Sequence, residues 1–212
     1  MIEIRNVTTD VDDGRHRQRD SGALNRIAVH RCGVDLVWDN LIGYDAISIC
    51  EAFTGRNPKW AEVAKATGGE IPYSFMIGGN LGPDEFDGVI WQTLPVLEIG
   101  AHARRWNTTA IGVAMISDPR VRAVSDAQRQ ALIDLVSELC QAFKINPEGS
   151  DRSGVWYLAG HDELPGSSSD PNKRCPGKHA PMGELRASVA MKIARANKVE
   201  ALNRLVAAGM ST

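Results

Sequence analysis

The segment GHDELPGSSSDPNKRCPGKH, residues 160–179, concentrates His161, Asp162, Glu163, Asp170, Lys173, Cys175 and His179. These are metal-ligating and acid/base side chains on a stretch whose glycines, prolines and serines read as loop. His161 follows the apolar run GVWYLAG, and His30 follows the apolar run RIAV. Two imidazoles at strand ends, joined by one further ligand, would form a zinc centre with three protein ligands. Its fourth position would stay open, as a catalytic zinc requires. Cys175 and Asp170 are both candidates for the third ligand. His30 and His161 are too far apart in sequence for a zinc finger, which gathers its ligands locally.

The rest of the chain bounds what such a site can serve. The 212 residues are 43% hydrophobic, enough to bury one sizeable core, and the net charge of −2 argues against a dedicated nucleic-acid binder. Four cysteines, Cys32, Cys50, Cys140 and Cys175, do not make a disulfide framework, which fits reduced thiols and cytoplasmic synthesis. The chain contains no apolar run of membrane-spanning length. Its first twenty or so residues lack the apolar stretch of a secretory signal, so synthesis without a signal peptide is expected.

Elements that could position the histidines follow from the hydrophobic pattern. Residues 1–25 are rich in charge and are expected as a polar N-terminal arm. RIAVHRC reads as a strand ending near His30, IPYSFMIGG and GVIWQTLP as two strands about a turn, and IGVAMI as a buried central strand. YDAISICEAFTG is helix-like up to Gly55, and Asn57-Pro58 opens a second helical segment that stops at Gly68-Gly69. Ser125 is placed to cap a helix with Ala131, Leu132, Leu135, Val136, Leu139 and Phe143 on one stripe. GVWYLAG is a last strand. Residues 183–208 form a long amphipathic helix with Leu185, Val189, Ile193, Ala196, Val199, Leu202 and Val206 at helical spacing. Strands alternating with helices and no internal repeat give a single α/β domain.

Five segments in this order, IAVHRC, PYSFMI, AHARRWNTTAIGVAMI, GHDE and KRCPG, resemble the zinc-dependent N-acetylmuramoyl-L-alanine amidases of the phage-endolysin and peptidoglycan-recognition-protein type. The resemblance spans residues 26–180. It implies a central mixed β-sheet flanked by helices, with residues 26–180 as catalytic core and 181–212 as a C-terminal helix packed on it. It assigns zinc to His30, His161 and Cys175, and catalytic assistance to Tyr73 and Lys173. Asp170-Pro171 keeps a second option open, because cytosolic relatives use an Asp before Pro as third ligand. Lys173-x-Cys175 preserves the lysine offset, whereas Asp170 has Ser168 at that offset. Those relatives also carry a Glu on the strand where this chain has Ala114.

The activity implied is hydrolysis of the amide between N-acetylmuramic acid and L-alanine in peptidoglycan. Zinc lowers the pKa of water towards about 7 and so yields a nucleophile at neutral pH. Lys173 and Tyr73 would stabilise the oxyanion. His102 and Asn107 are expected as substrate-groove residues, with Asn107 also suited to tying its loop to the next strand. Asp162 or Glu163 could orient a ligand histidine. Arg104, Arg105 and Trp106 could face substrate, and Cys50 and Cys140 belong to the core. A monomeric phage or prophage endolysin, released to the wall by a holin, is the expected setting. A cytosolic wall-recycling amidase and a non-catalytic peptidoglycan-binding protein are the alternatives. The basic C-terminal helix, with Arg186, Lys192, Arg195, Lys198 and Arg204, could touch an anionic envelope surface.

Overall fold

The computed structural model describes residues 2–11, 16–32, 45–55, 70–79, 84–120, 122–167 and 174–208. The strand that carries His30 is β2 (Arg26–Arg31), all six of whose residues are buried. It pairs in parallel with β5 (Ala110–Met115), also wholly buried, and on its other side with β6 (Leu158–Gly160). Near-continuous apolar runs belong on parallel strands covered on both faces, and RIAV and AIGVAM meet that condition. β3 (Phe75–Ile77) extends the sheet in parallel from β5, β4 (Ile90–Gln92) joins β3 antiparallel, and β1 (Ile4–Asn6) closes the edge on β4. Among the described residues the sheet is therefore mixed and six-stranded, with order β1-β4-β3-β5-β2-β6.

Alternation along β2 divides the molecule. Ile27 and Val29 join Ile111, Val113 and Leu158 in a core completed by α3 (Asp126–Ala142) and α4 (Met182–Ala207) through Leu132, Leu135, Val136, Leu185 and Val189. Cys32 belongs to the core on the opposite side, with Tyr73, Met76, Trp91, Ala114 and Cys50 and Phe53 of α2 (Ala46–Thr54). Ser125 caps α3, its side chain accepting from the Gln128 amide, and Gly55 ends α2 with φ 73°. The helix expected after Asn57 lies outside the described residues.

Two segments differ from their sequence patterns. The expected N-terminal arm supplies an edge strand, and after it Val7 and, from α1 (Thr8–Val11), Val11 enter the core. An edge strand is held by backbone pairing, so its own side chains can remain polar and exposed. Arg19 follows, buried, donating to the carbonyls of Val96, Asn107 and Ala110; burial lowers its pKa to about 10. Among the described residues α4 packs on the core through its first three turns, as far as Ile193. Met191, on the outer face of those turns, and Val199, Leu202 and Val206 beyond them are exposed. Among the described residues no helix is long and apolar enough to cross a membrane.

Candidate metal centre

The register of β2 against β6 sets Val29 beside Gly160, so His30 and His161 follow at the carboxyl ends of neighbouring parallel strands. Crevices outside those ends are where open α/β sheets bind ligands. The two imidazole centroids are 4.6 Å apart. Cys175 returns on the later loop, and ligand atoms of His30, His161 and Cys175 all lie within 4.8 Å of one another. All three are buried, at 1%, 4% and 2% exposure, which distinguishes them from a chance surface cluster. The His30 Nδ1 to Cys175 Sγ distance is 3.9 Å. Tetrahedral zinc, with Zn–N near 2.0–2.1 Å and Zn–S near 2.3 Å, would place such atoms about 3.6 Å apart. The donor set and its spacing fit that ion.

Backbone and helix contacts hold the loop to the sheet. The Arg31 amide lies 3.4 Å from Cys175 Sγ, and the Asp162 amide donates to the Cys175 carbonyl at 2.8 Å. Gly177 has φ 123°, and a Cβ there would stand 2.7 Å from the Pro119 and Arg120 backbone. The glycine of the CPG segment is thus required for the ligand loop to lie against residues 119–120. Glu163, in the 3-10 turn His161–Glu163, accepts from the Gly160 amide and takes a two-pronged ion pair from Arg186 of α4 at 2.8 and 3.0 Å. Arg186 also donates to the Leu158 carbonyl and stacks 4.3 Å from the Trp156 ring centroid. Glu163 therefore anchors the β6 end to α4 rather than turning outward. Beside His161 opens a cleft of about 770 Å³ whose lining includes Asp162, Arg120, Arg174 and Lys178.

Residues 44–178 match the family described as N-acetylmuramoyl-L-alanine amidase. The chain belongs to this amidase family. A search of curated protein sequences finds no match. Solved structures give the same fold at low identity. The AmpD selenomethionine derivative is 20% identical, with a TM-score of 0.62 over 89% of this chain and 95% of that one. The Ph2119 endolysin of Thermus scotoductus MAT2119 bacteriophage Ph2119 is 18% identical, with a TM-score of 0.59 over 88% of this chain and 99% of that one. Drosophila PGRP-LB is 19% identical, with a TM-score of 0.55 over 86% of this chain and 92% of that one.

Other residues singled out in this amidase-family chain sort by their surroundings. Tyr73 stacks 5.1 Å from His30, and burial raises its pKa well above the ordinary tyrosine value, so its hydroxyl keeps its proton. Lys173 and Asp170 lie outside the described residues. Ala114 sits in register with His30, so β5 brings no carboxylate to the ligand. His102 is buried behind His30 with Nδ1 3.1 Å from His30 Nε2, and burial lowers its pKa to about 3. Asn107 Oδ1 accepts from the His102 and Ala103 amides, which closes its own loop. Trp106 donates to the Pro165 carbonyl and receives the Arg26 guanidinium on its ring, while Arg104 and Arg105 are exposed. Cys50 and Cys140 are buried core thiols; burial pushes Cys140 up to about 12. Asp162 has its pKa raised, first by burial and then by Glu163. Sequence reasoning did not foresee the Glu163–Arg186 tie or the His30–His102 contact. The only sequence signal for the former was an unmatched basic residue, Arg186, on the buried stripe of α4.

Proposed function

We propose that this chain is a zinc hydrolase that cleaves the amide between N-acetylmuramic acid and L-alanine in peptidoglycan. The observation that carries the reading is the convergence of buried His30, His161 and Cys175 at the strand ends of an amidase-family chain. These three residues would hold zinc. When bound, zinc supplies a Lewis acid that activates water and polarises a carbonyl near neutral pH. Tyr73, kept protonated by burial, donates to the carbonyl oxygen as negative charge develops there. Lys173, two residues before a ligand, supplies positive charge at the same oxygen. With Ala114 beside His30, no general base comes from β5. Arg120, Arg174 and Lys178 in the adjoining cleft suit the carboxylates of the stem peptide.

The test is zinc content together with release of L-alanine-terminated peptides from purified peptidoglycan. Chelation should abolish release, and added zinc should restore it. Full activity without metal overturns the mechanism. Zinc-loaded protein that binds peptidoglycan but releases nothing identifies a non-catalytic binder. Of the single variants Cys175→Ser and Asp170→Asn, the first alone should lose metal. The finer part of the proposal is a phage or prophage lysis role with holin-dependent access to the wall. Co-expression with and without a holin tests it: lysis in both cases or in neither argues against the role.

A further inference from the structure

His30 has two faces. Its Nδ1 is turned to Cys175, and its Nε2 meets His102 Nδ1 at 3.1 Å. The far nitrogen of His102, Nε2, lies 3.3 Å from the Ala110 carbonyl oxygen, which also accepts from Arg19 at 2.8 Å. A carbonyl has lone pairs and no proton to give, so His102 Nε2 must be the donor. A second proton on His102 would place a cation in a buried site that Arg19 already shares. Its Nδ1 therefore accepts, and the proton in the 3.1 Å contact belongs to His30 Nε2. That makes Nδ1, 3.9 Å from Cys175 Sγ, the unprotonated nitrogen of His30, the form in which an imidazole ligates a metal. We propose that His102 is a positioning residue for the metal centre: through Ala110 and His102, the β5 backbone fixes the tautomer and ring angle of His30.

Two independent features fit this role. The His30 and His102 rings are perpendicular, at 90°, which directs the edge of one at the nitrogen of the other. On β5, Gly112 lies under the His102 ring: a Cβ there would come within 2.9 Å of ring atoms. A side chain at 112 would push the imidazole off its line to His30. The glycine in IGVAMI is thus the floor of the His102 slot. His161 is oriented by the same means, its Nε2 lying 3.3 Å from the Ser167 carbonyl, which again requires the proton on Nε2. Both ligand histidines take their tautomer from a backbone carbonyl, one directly and one through His102.

The inference rests on the zinc reading, and its test does not depend on catalysis. His102→Phe keeps a ring and removes both hydrogen bonds. His102→Gln retains one acceptor for His30 and one donor for Ala110. Gly112→Ala leaves every functional group in place and displaces the ring. Zinc affinity is measured by chelator competition, and nitrogen-15 NMR of the metal-free wild type reports which His30 nitrogen carries the proton. Removing such a partner typically costs about 10–100-fold in metal affinity. We expect that loss for His102→Phe, a loss in the same direction for Gly112→Ala, substantial rescue by His102→Gln, and an Nε2–H tautomer on His30. A proton on His30 Nδ1 in the wild type, or folded His102→Phe with wild-type affinity, overturns the inference. Should the variants order as expected while the zinc-loaded wild type hydrolyses no peptidoglycan, the amidase reading falls and this one stands.

Discussion

Arg186→Met tests whether α4 is part of the apparatus that presents His161. The guanidinium makes three charge-assisted contacts, two with Glu163 and one with the Leu158 carbonyl, at 2.8 to 3.0 Å. The side chains of Arg186 and Glu163 are 10% and 29% exposed, so solvent screens the pair only in part. Breaking a fully buried pair costs about 3–5 kcal/mol, and an exposed one contributes about 0–1 kcal/mol. Scaled for Glu163's exposure, the pair accounts for about 1–2 kcal/mol, and the lost donor to Leu158 adds about 1 kcal/mol. A loss of about 2–3 kcal/mol corresponds to a melting temperature lower by roughly 5–10 °C for a chain of this size. The assay is thermal unfolding of the metal-free protein, repeated for Glu163→Gln and the double variant. Glu163→Gln keeps an acceptor for the Gly160 amide and should cost less, with a coupling energy of about 1–2 kcal/mol between the two positions. Because Glu163 also holds the Gly160 amide next to His161, zinc affinity should fall in Arg186→Met. A melting temperature within about 2 °C of wild type, or additive single effects, would refute the reasoning.

Other perturbations address different parts of the site. Tyr73→Phe should lower turnover by on the order of 100-fold with zinc content unchanged, since it removes one oxyanion donor and no ligand; equal turnover excludes Tyr73 from the chemistry. Gly177→Ala forces a side chain into φ 123° and against the Pro119–Arg120 backbone. It should cost at least about 2 kcal/mol and reduce zinc content, read by melting and metal analysis. Asp151, held by Ser153, the Val155 amide and Arg26, has its pKa lowered to about 2. A folded-state pKa below the unfolded one contributes stability above the unfolded value, and that contribution is lost as pH falls from about 4 to about 2. Asp151→Asn should therefore show a flatter acid limb in a circular-dichroism titration, and superimposable curves would count against it.

The apolar runs of β2 and β5 were legible because strands covered on both faces must be apolar along their whole length. Ser125 and Gly55 were legible because capping and left-handed termination depend on the local chain alone. The edge strand β1 was not, since its side chains are exposed and its pairing with β4 is a backbone matter. The outer half of α4 misled in the other direction. Helical spacing of apolar residues says that a stripe exists, not that anything covers it, and Val199, Leu202 and Val206 are exposed.

The same division runs through the site. His30 and His161 could be singled out as strand-end imidazoles, while residue type alone left Cys175 and Asp170 as rival third ligands and the family resemblance favoured Cys175; parallel pairing of β2 with β6 was enough to bring the two histidines together. What orients them is not intrinsic. Arg19 reaches the Ala110 carbonyl across 91 residues of chain, His102 links that same carbonyl to His30, 72 residues away, and Arg186 reaches Glu163 from the last helix. Each of these contacts exists only once the sheet is assembled, and none leaves a periodic trace in sequence. Gly112 is the exception: a glycine inside a buried strand hints at a close approach, and the approaching group is the His102 ring. A strand glycine facing a metal ligand's neighbour is thus a sequence-level pointer to the supporting side chain, and the Gly112→Ala affinity measurement asks whether that pointer has functional weight.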